Sequence, residues 1–437
     1  MNLTHILSHF NITELNQMQK ATMEVVSKPN DVVLISPTGS GKTLAFLLPV
    51  LPLLISNTTG VQVLILIPTR ELAIQIEQVF KQMSTGFKIN CCYGGHSVRI
   101  EENNLKHPPA VLVGTPGRLS HHLRRKNLVL DNVHTLILDE FDKSLELGFK
   151  EEMEYIIKQC TQLKKRILTS ATTLKEIPSF VRLTNATELN YSTHHKELTS
   201  SLIVKEVRVE GSDKLKDLMF LLGKIGDKPT IVFCNHRDAV ARISEQLNAN
   251  KVEHGFYHGG LDQIDREKTL IKLRNGTTNI LITTDLAARG LDIPEIASVV
   301  HYQLPATEDV MIHRNGRTAR MNAEGTAYFL LDGDDHLPKF LTITPEKEVL
   351  PKTFVQPKLS DWKTLYIAAG KKDKINKMDI VGMLLQKGQL QKDDLGKIEV
   401  LDHSAYVAVK ASKIGKMLQL IKEEKLKNRK IKMEISS

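Results

Sequence analysis

At 437 residues the chain exceeds what one hydrophobic core sustains, so about three domains are expected. An ordinary globular composition, with no apolar run long enough to span a bilayer and no basic-then-apolar leader at Met1–Thr4, argues against a membrane protein and predicts a cytoplasmic one. The net charge of +9 is unevenly placed: residues 361–437 hold 17 Lys and Arg against 10 Asp and Glu, a surplus of +7 that leaves +2 for residues 1–360 and points the C-terminal part toward a polyanion.

In chain order, residues 31–191 alternate short β-branched runs with helical periodicity, the signature of a parallel sheet covered on both faces. The runs VVLI (32–35), VLILI (63–67), AVLV (110–113), LIL (136–138) and RILT (166–169) read as strands. Leu72, Ile76, Val79, Phe80 and Met83 recur at three- and four-residue steps, which predicts an amphipathic helix after the second run. A polar segment at 191–201 interrupts the pattern, which restarts with strands at TIVF (230–233), ILIT (280–283), SVVHY (298–302) and TAYFLL (326–331). Three prolines and mixed charge in 345–358 predict an extended linker. The remainder reads as βαββαβ, a small two-layer α+β module: strands 364–370, 396–402, 405–410 and 430–435, helices 377–387 and 414–426. The expected boundaries are 1–195 and 196–345 for two α/β lobes, 346–360 for the linker and 361–437 for the module. Cys91, Cys92, Cys160 and Cys234 are too few and too irregularly spaced for a disulfide framework or a zinc site and read as reduced, structural residues.

SPTGSGKT (36–43) stands between a strand and a helix, the setting a phosphate-binding loop requires. Ser36, Thr38, Gly39, Ser40 and Gly41 let backbone N–H groups converge on phosphates, Lys42 reaches the β/γ-phosphates, and the Thr43 hydroxyl is a magnesium ligand. LILDEFD (136–142) puts three carboxylates at the end of a buried strand, where sheets of this kind bind ligands. Mg²⁺ keeps most of its waters and accepts one or two carboxylates, so Asp139 is the metal partner and Glu140 the residue that orients or deprotonates the attacking water. Loop and acidic strand end together define an ATPase or GTPase. HRNGRTAR (313–320) spaces Arg314, Arg317 and Arg320 at three-residue steps, one side of a helix, from which arginines can meet a γ-phosphate.

With these parts in order, residues 11–335 resemble a DEAD-box RNA helicase of superfamily 2. Gln19 stands as in the adenine-reading Q motif. SPTGSGKT, PTRELA (68–73), Gly94-Gly95, TPGR (115–118), DEFD (139–142) and SAT (170–172) follow on the first lobe; IVFCN (231–235), QIDR (263–266), TTDLAARGLD (283–292) and HRNGRTAR follow on the second. The resemblance implies two tandem RecA-like parallel-sheet lobes. ATP would be held by Gln19, the phosphate loop, Asp139 and Glu140 from one, and by Asp292, Arg317 and Arg320 from the other. Asp142, Ser170, Thr172 and His313 would relay nucleotide state to RNA. RNA would be gripped through its backbone by Pro68, Thr69, Arg70, Glu71, Gly95, Thr115, Pro116, Arg118, Arg266, Thr284 and Arg289, with little sequence preference. The chain departs from the family in Phe141 for Ala, in Leu15-Asn16 for Pro-Thr, and in Asn315 and Ala319 for Ile and Gly.

The C-terminal module resembles the RNA-recognition fold that ends DbpA-type helicases. Tyr366 and Tyr406 occupy positions where such folds stack bases, Ser404 replaces a further aromatic, and Lys371, Lys372, Lys374 and Lys410 surround them. The resemblance implies that the module directs an RNA-stimulated ATPase to large-subunit ribosomal RNA in ribosome assembly, with ATP and Mg²⁺ as cofactors and a monomer as the favoured state. An ATP-gated RNA clamp that releases without unwinding carries the same motifs. A DNA translocase is disfavoured by DEFD, SAT and PTRELA, and a transport ATPase by the lack of an LSGGQ-like signature.

Overall fold

The computed structural model describes residues 3–436 except 38, 96, 175, 192–201, 210–212, 289–292, 294–295, 319–324 and 334. The chain divides into two compact units at residues 200 and 201.

The first unit is built on strands β1 (Val32–Ile35), β2 (Val63–Leu66), β3 (Ile89–Cys92), β4 (Val111–Gly114), β5 (Thr135–Leu138), β6 (Lys165–Ser170) and β7 (Thr187–Asn190), in the order β3-β4-β2-β5-β6-β1-β7. All neighbours run parallel. The central strands are buried along their whole length. Their near-continuous Val, Ile and Leu content follows, since helices cover both faces. Two apolar clusters fill the layers, one around Phe46, Ile65, Ile76 and Phe80, the other around Leu64, Leu136, Phe141 and Ile156. The predicted helix after β2 runs from Arg70 to Gln82 and buries Leu72, Ala73, Ile76 and Phe80.

The second unit holds two sheets. Strands β8 (Leu202–Arg208), β9 (Thr230–Cys234), β10 (Gly255–Tyr257), β11 (Ile280–Thr284), β12 (Ser298–His301), β13 (Gly325–Leu331) and β14 (Glu346–Lys347) form a parallel sheet ordered β10-β11-β9-β12-β13-β8-β14. Strands β15 (Trp362–Ile367), β16 (Leu395–Val400), β17 (Ala405–Lys410) and β18 (Met433–Ile435) form an antiparallel sheet ordered β16-β17-β15-β18. Helices Lys377–Gln386 and Ala411–Ile421 bury Ile380, Leu384 and Met417 against Leu365, Ile367, Val407 and Val409 on one face of this sheet, completing the expected βαββαβ module. The architecture is thus two RecA-like lobes and a small α+β domain.

The extended segment after the second lobe is fastened down along much of its length. β14 adds a strand beside β8, Glu348 takes ammonium groups from Lys205 (2.6 Å) and Lys224, and Gln356 donates to the Lys251 carbonyl at 2.7 Å. No helix among the described residues is long and apolar enough to cross a membrane.

Candidate active site

Strand order brings the nucleotide motifs together. The phosphate loop leaves β1, SAT leaves β6 and DEFD leaves β5, three adjacent strands whose C-terminal ends share one edge of the sheet. Ser36 N–H donates to the Ser170 carbonyl at 3.0 Å, so the loop and SAT start in register. Gly39 (φ 81°) and Gly41 (φ 88°) take the left-handed backbone that turns the loop into the helix Lys42–Val50. A Cβ on Gly41 would also stand 2.6 Å from Gln19 Nε2. Lys42 is 9% exposed, and its ammonium donates to the carbonyls of Ser36 (2.6 Å) and Pro37 (3.1 Å).

Gln19 is tied to this loop. It closes a capping box with Asn16 at the start of helix Gln17–Val26 and donates from Nε2 to the Gly41 carbonyl at 3.3 Å, while Asn16 Nδ2 donates to the Ser40 carbonyl at 3.0 Å. Asn16, one of the departures from the family pattern, thereby becomes a second strut between the Q motif and the phosphate loop.

Asp139 and Glu140 are 3% and 6% exposed. Burial pushes the Asp139 carboxyl above its ordinary range, opposed by the Thr169 hydroxyl and by the charge of Lys42. Its Oδ1 accepts from Thr169 Oγ1 and from Glu140 N–H at 3.1 Å. Glu140 itself has φ 47°, a left-handed turn that caps the helix Phe141–Glu146. Phe141 is fully buried with Leu138, Leu168 and Phe180, its ring centroid 6.3 Å from that of Phe180. The larger side chain therefore packs into the core. Asp142 Oδ2 accepts from Thr172 Oγ1 at 3.4 Å, and Ser170 Oγ donates to the Thr172 carbonyl at 2.6 Å. Asp142, Ser170 and Thr172 lie together in the first unit.

A cation beside the buried Asp139 carboxyl would favour its ionised form, and the Thr43 hydroxyl belongs to the first turn of the helix that Lys42 opens; these oxygen donors would suit Mg²⁺.

Strands β3, β4 and β2, the half of the sheet beyond β5, carry the residues expected to touch RNA. Pro68–Glu71 follow β2, Gly95 follows β3, and Thr115–Arg118 follow β4. Thr69 caps the helix Arg70–Gln82 through Leu72 N–H at 3.3 Å, and Arg70 lies over the Tyr93 ring, 4.7 Å from its centroid. Arg118 and His122 both meet Glu101, at 3.2 and 2.8 Å. Sequence reasoning missed Glu101 because it lies in no motif and its partners lie 17 and 21 residues away.

On the second lobe the expectation of three arginines along one helical side is corrected. Helix Glu308–Asn315 ends before Arg317, so the spacing no longer sets a common face. Arg314 is fully buried: its guanidinium pairs with both Asp285 oxygens (2.6 and 3.1 Å), the Gln303 carbonyl (2.8 Å) and Asn235 Oδ1 (2.7 Å). It fastens the ends of β9, β11 and β12 to one another. Arg317 is 3% exposed and His313 1%. Arg266 Nε donates to the Leu261 carbonyl at 3.2 Å, and Thr284 ends β11. Thr38, Arg289, Asp292 and Arg320 lie outside the described residues.

In the C-terminal domain the two tyrosines are neighbours, ring centroids 5.4 Å apart, on the sheet face opposite the helices. Tyr406 is only 5% exposed; burial raises its phenol, with Glu267 and Asp265 of the lobe-2 helix Gln263–Arg274 among its charged surroundings. The same face places Thr364 Oγ1 2.7 Å from Thr277 Oγ1, and Arg274 makes two bonds to Glu399, 2.8 and 2.7 Å. Base stacking on Tyr406 is thus hindered by lobe 2, a contact that sequence alone cannot register. Lys371, Lys372 and Lys374 are exposed, whereas the Lys410 ammonium lies over the Trp362 ring at 4.5 Å.

Comparison with known proteins assigns these units. Residues 16–180 match the DEAD/DEAH box helicase family, 213–322 the helicase conserved C-terminal domain and 364–435 the DbpA RNA binding domain. ATP-dependent RNA helicase DbpA of Bacillus subtilis (strain 168) is 28% identical over 99% of this chain and 97% of its own length. DEAD-box ATP-dependent RNA helicase CshC of Bacillus cereus is 32% identical over 79% of this chain and 90% of its own. S. cerevisiae Dbp5 bound to RNA and ADP BeF3 superposes with a TM-score of 0.67 at 25% identity, covering 76% of this chain and 88% of that one. Fold and motifs together define a nucleotide-driven helicase core. The chain belongs to the DEAD-box family of ATP-dependent RNA helicases, and its C-terminal domain makes it one of the DbpA type.

Proposed function

We propose that this helicase binds large-subunit ribosomal RNA through its C-terminal domain, residues 361–437, and locally separates short duplexes during ribosome assembly, acting as a cytoplasmic monomer. The observation that carries the reading is the division of the first sheet: nucleotide motifs end β1, β5 and β6, and the RNA loops end β2, β3 and β4, so one rigid sheet couples both. The basic surplus of the C-terminal domain supports the polyanion target.

In this reading Gln19 selects the base, the loop of Ser36, Thr38, Gly39, Ser40 and Gly41 wraps the phosphates, and Lys42 exchanges its carbonyl partners for phosphate oxygens. Thr43 and Asp139 would hold magnesium, which when bound would offset the charge of the phosphates. Glu140 aligns and deprotonates water. Asp292, Arg317 and Arg320 act on the charge that develops at the γ-phosphate, and Asp142, Ser170, Thr172 and His313 pass that change to the RNA loops. Arg266, Thr284 and Arg289 grip backbone from the second lobe. On the C-terminal domain the exposed Lys371, Lys372 and Lys374 take the larger share of RNA contact, and Tyr366, Tyr406 and Lys410 a smaller one.

The test is ATP turnover titrated with large-subunit ribosomal RNA and with an unrelated RNA of equal length, beside strand displacement on a tailed duplex. Ribosomal RNA should reach half-stimulation at a concentration at least about tenfold lower, a preference of about 1.4 kcal/mol. Equal stimulation would remove the ribosomal target. Turnover without displacement would leave an ATP-gated clamp.

A further inference from the structure

Glu101 lies outside every motif, on the helix Val98–Leu105, and its side chain is 1% exposed. Its Oε1 accepts from Tyr93 N–H at 3.0 Å. Its Oε2 accepts from Arg118 Nη1 at 3.2 Å and meets His122 Nε2 at 2.8 Å, where a carboxylate can only accept, so the ring nitrogen carries the proton. Tyr93 enters the Gly94-Gly95 turn and supports Arg70 on its ring; Arg118 and His122 share one face of the helix Pro116–Arg124. One buried carboxylate therefore joins the loops that follow β3 and β4, and through Tyr93 the loop that follows β2. Cys92 brings a third ligand-type atom within 4.8 Å of Glu101 and His122. Arg118 already supplies the countercharge there, and burial holds the Cys92 thiol up, so the cluster is an ion-pair network rather than a metal centre.

We propose that Glu101 is a positioning residue for RNA: it fixes the direction of Arg118 and the Tyr93–Gly95 turn so that the first-lobe loops meet the phosphate backbone as one surface. The inference rests on the reading that Thr115–Arg118 grip RNA. An amide could not replace the carboxylate, because Glu101→Gln sets its NH₂ against the Arg118 donor or against Tyr93 N–H whichever way it turns.

The experiment measures binding of the full chain to a short oligouridine strand, with a non-hydrolysable ATP analogue, from low to moderate salt. Glu101→Gln should weaken binding about tenfold, and the slope of log affinity against log salt should lose about 0.7, the value of one single-strand phosphate contact. RNA-independent ATP turnover should stay within about twofold. Arg118→Ala should show the same slope loss, and the double variant should add little to either single one. If Arg118→Ala leaves affinity and slope unchanged, the RNA role of that loop falls. If Arg118→Ala weakens binding but Glu101→Gln does not, or does so with an unaltered slope and additive to Arg118→Ala, the positioning role alone falls.

Discussion

Glu140 and His301 show how single buried groups carry distinct burdens. Glu140 is held by a left-handed backbone turn beside Asp139, a main-chain geometry that a glutamine at this position can also adopt. Glu140→Gln should therefore keep ATP-dependent RNA binding while lowering turnover by about 10²- to 10⁴-fold, measured by phosphate release beside RNA binding; full turnover would remove it as the base. His301 stacks on Phe329, centroids 4.3 Å apart, and its Nε2 lies 2.9 Å from Asn315 Oδ1. The unusual Asn of the arginine motif thus has a structural partner. Burial lowers the His301 pKa from 6.5 to about 3, with Arg314 adding to the shift. Since the unfolded chain takes the proton first, this group's stabilisation is intact above pH 6.5 and is lost as pH falls toward 3, by up to about 1.4 kcal/mol per pH unit. Amide-exchange protection of β12 and β13 should drop between pH 7 and pH 5, and His301→Gln, which cannot protonate, should reduce that drop.

At the scale of elements, the phosphate loop depends on its backbone shape. Gly41→Ala meets both a positive φ and the Gln19 amide, a penalty of about 1–2 kcal/mol from backbone strain alone. Nucleotide affinity should fall about tenfold or more in a fluorescent-ADP titration; unchanged affinity would show that Gln19 yields freely. The loop, DEFD and SAT were legible because each is a contiguous string attached to a buried strand. Interior strands were legible for the same reason: VVLI, VLIL and TIVFC are covered on both faces. The overlooked β3, β7, β10 and β14 are the four edges of the two parallel sheets, with partly open faces and no continuous apolar run. β8, next to an edge, breaks its apolar text with Lys205 and Glu206. Illegible too were the tertiary partners: the Glu101 network spans residues 93–122, and Arg314 reads as one more surface arginine until Asp285 and Asn235 close around it.

At the scale of the whole molecule, the C-terminal domain is fastened to the second lobe by more than its connecting segment. Arg274 and Glu399 form a two-point ion pair, each side chain 18% exposed, and Lys363 reaches Glu253 at 2.7 Å. Thr277 and Thr364 share a buried hydrogen bond, and Ser360 Oγ donates to the Gly276 carbonyl. A domain so attached moves with lobe 2, so RNA bound to it would keep a set distance from that lobe. Arg274→Glu places like charges where the pair stood and should lose about 1–2 kcal/mol of docking free energy. Tyr406 would then become accessible, and limited proteolysis should cut within residues 346–360 sooner than in the parent. The reversed pair, Arg274→Glu with Glu399→Arg, should restore protection. If the single variant resists proteolysis as the parent does, docking is carried by the threonine contact and the β14 strap, and Thr277→Val with Glu348→Ala should loosen it where Arg274→Glu did not.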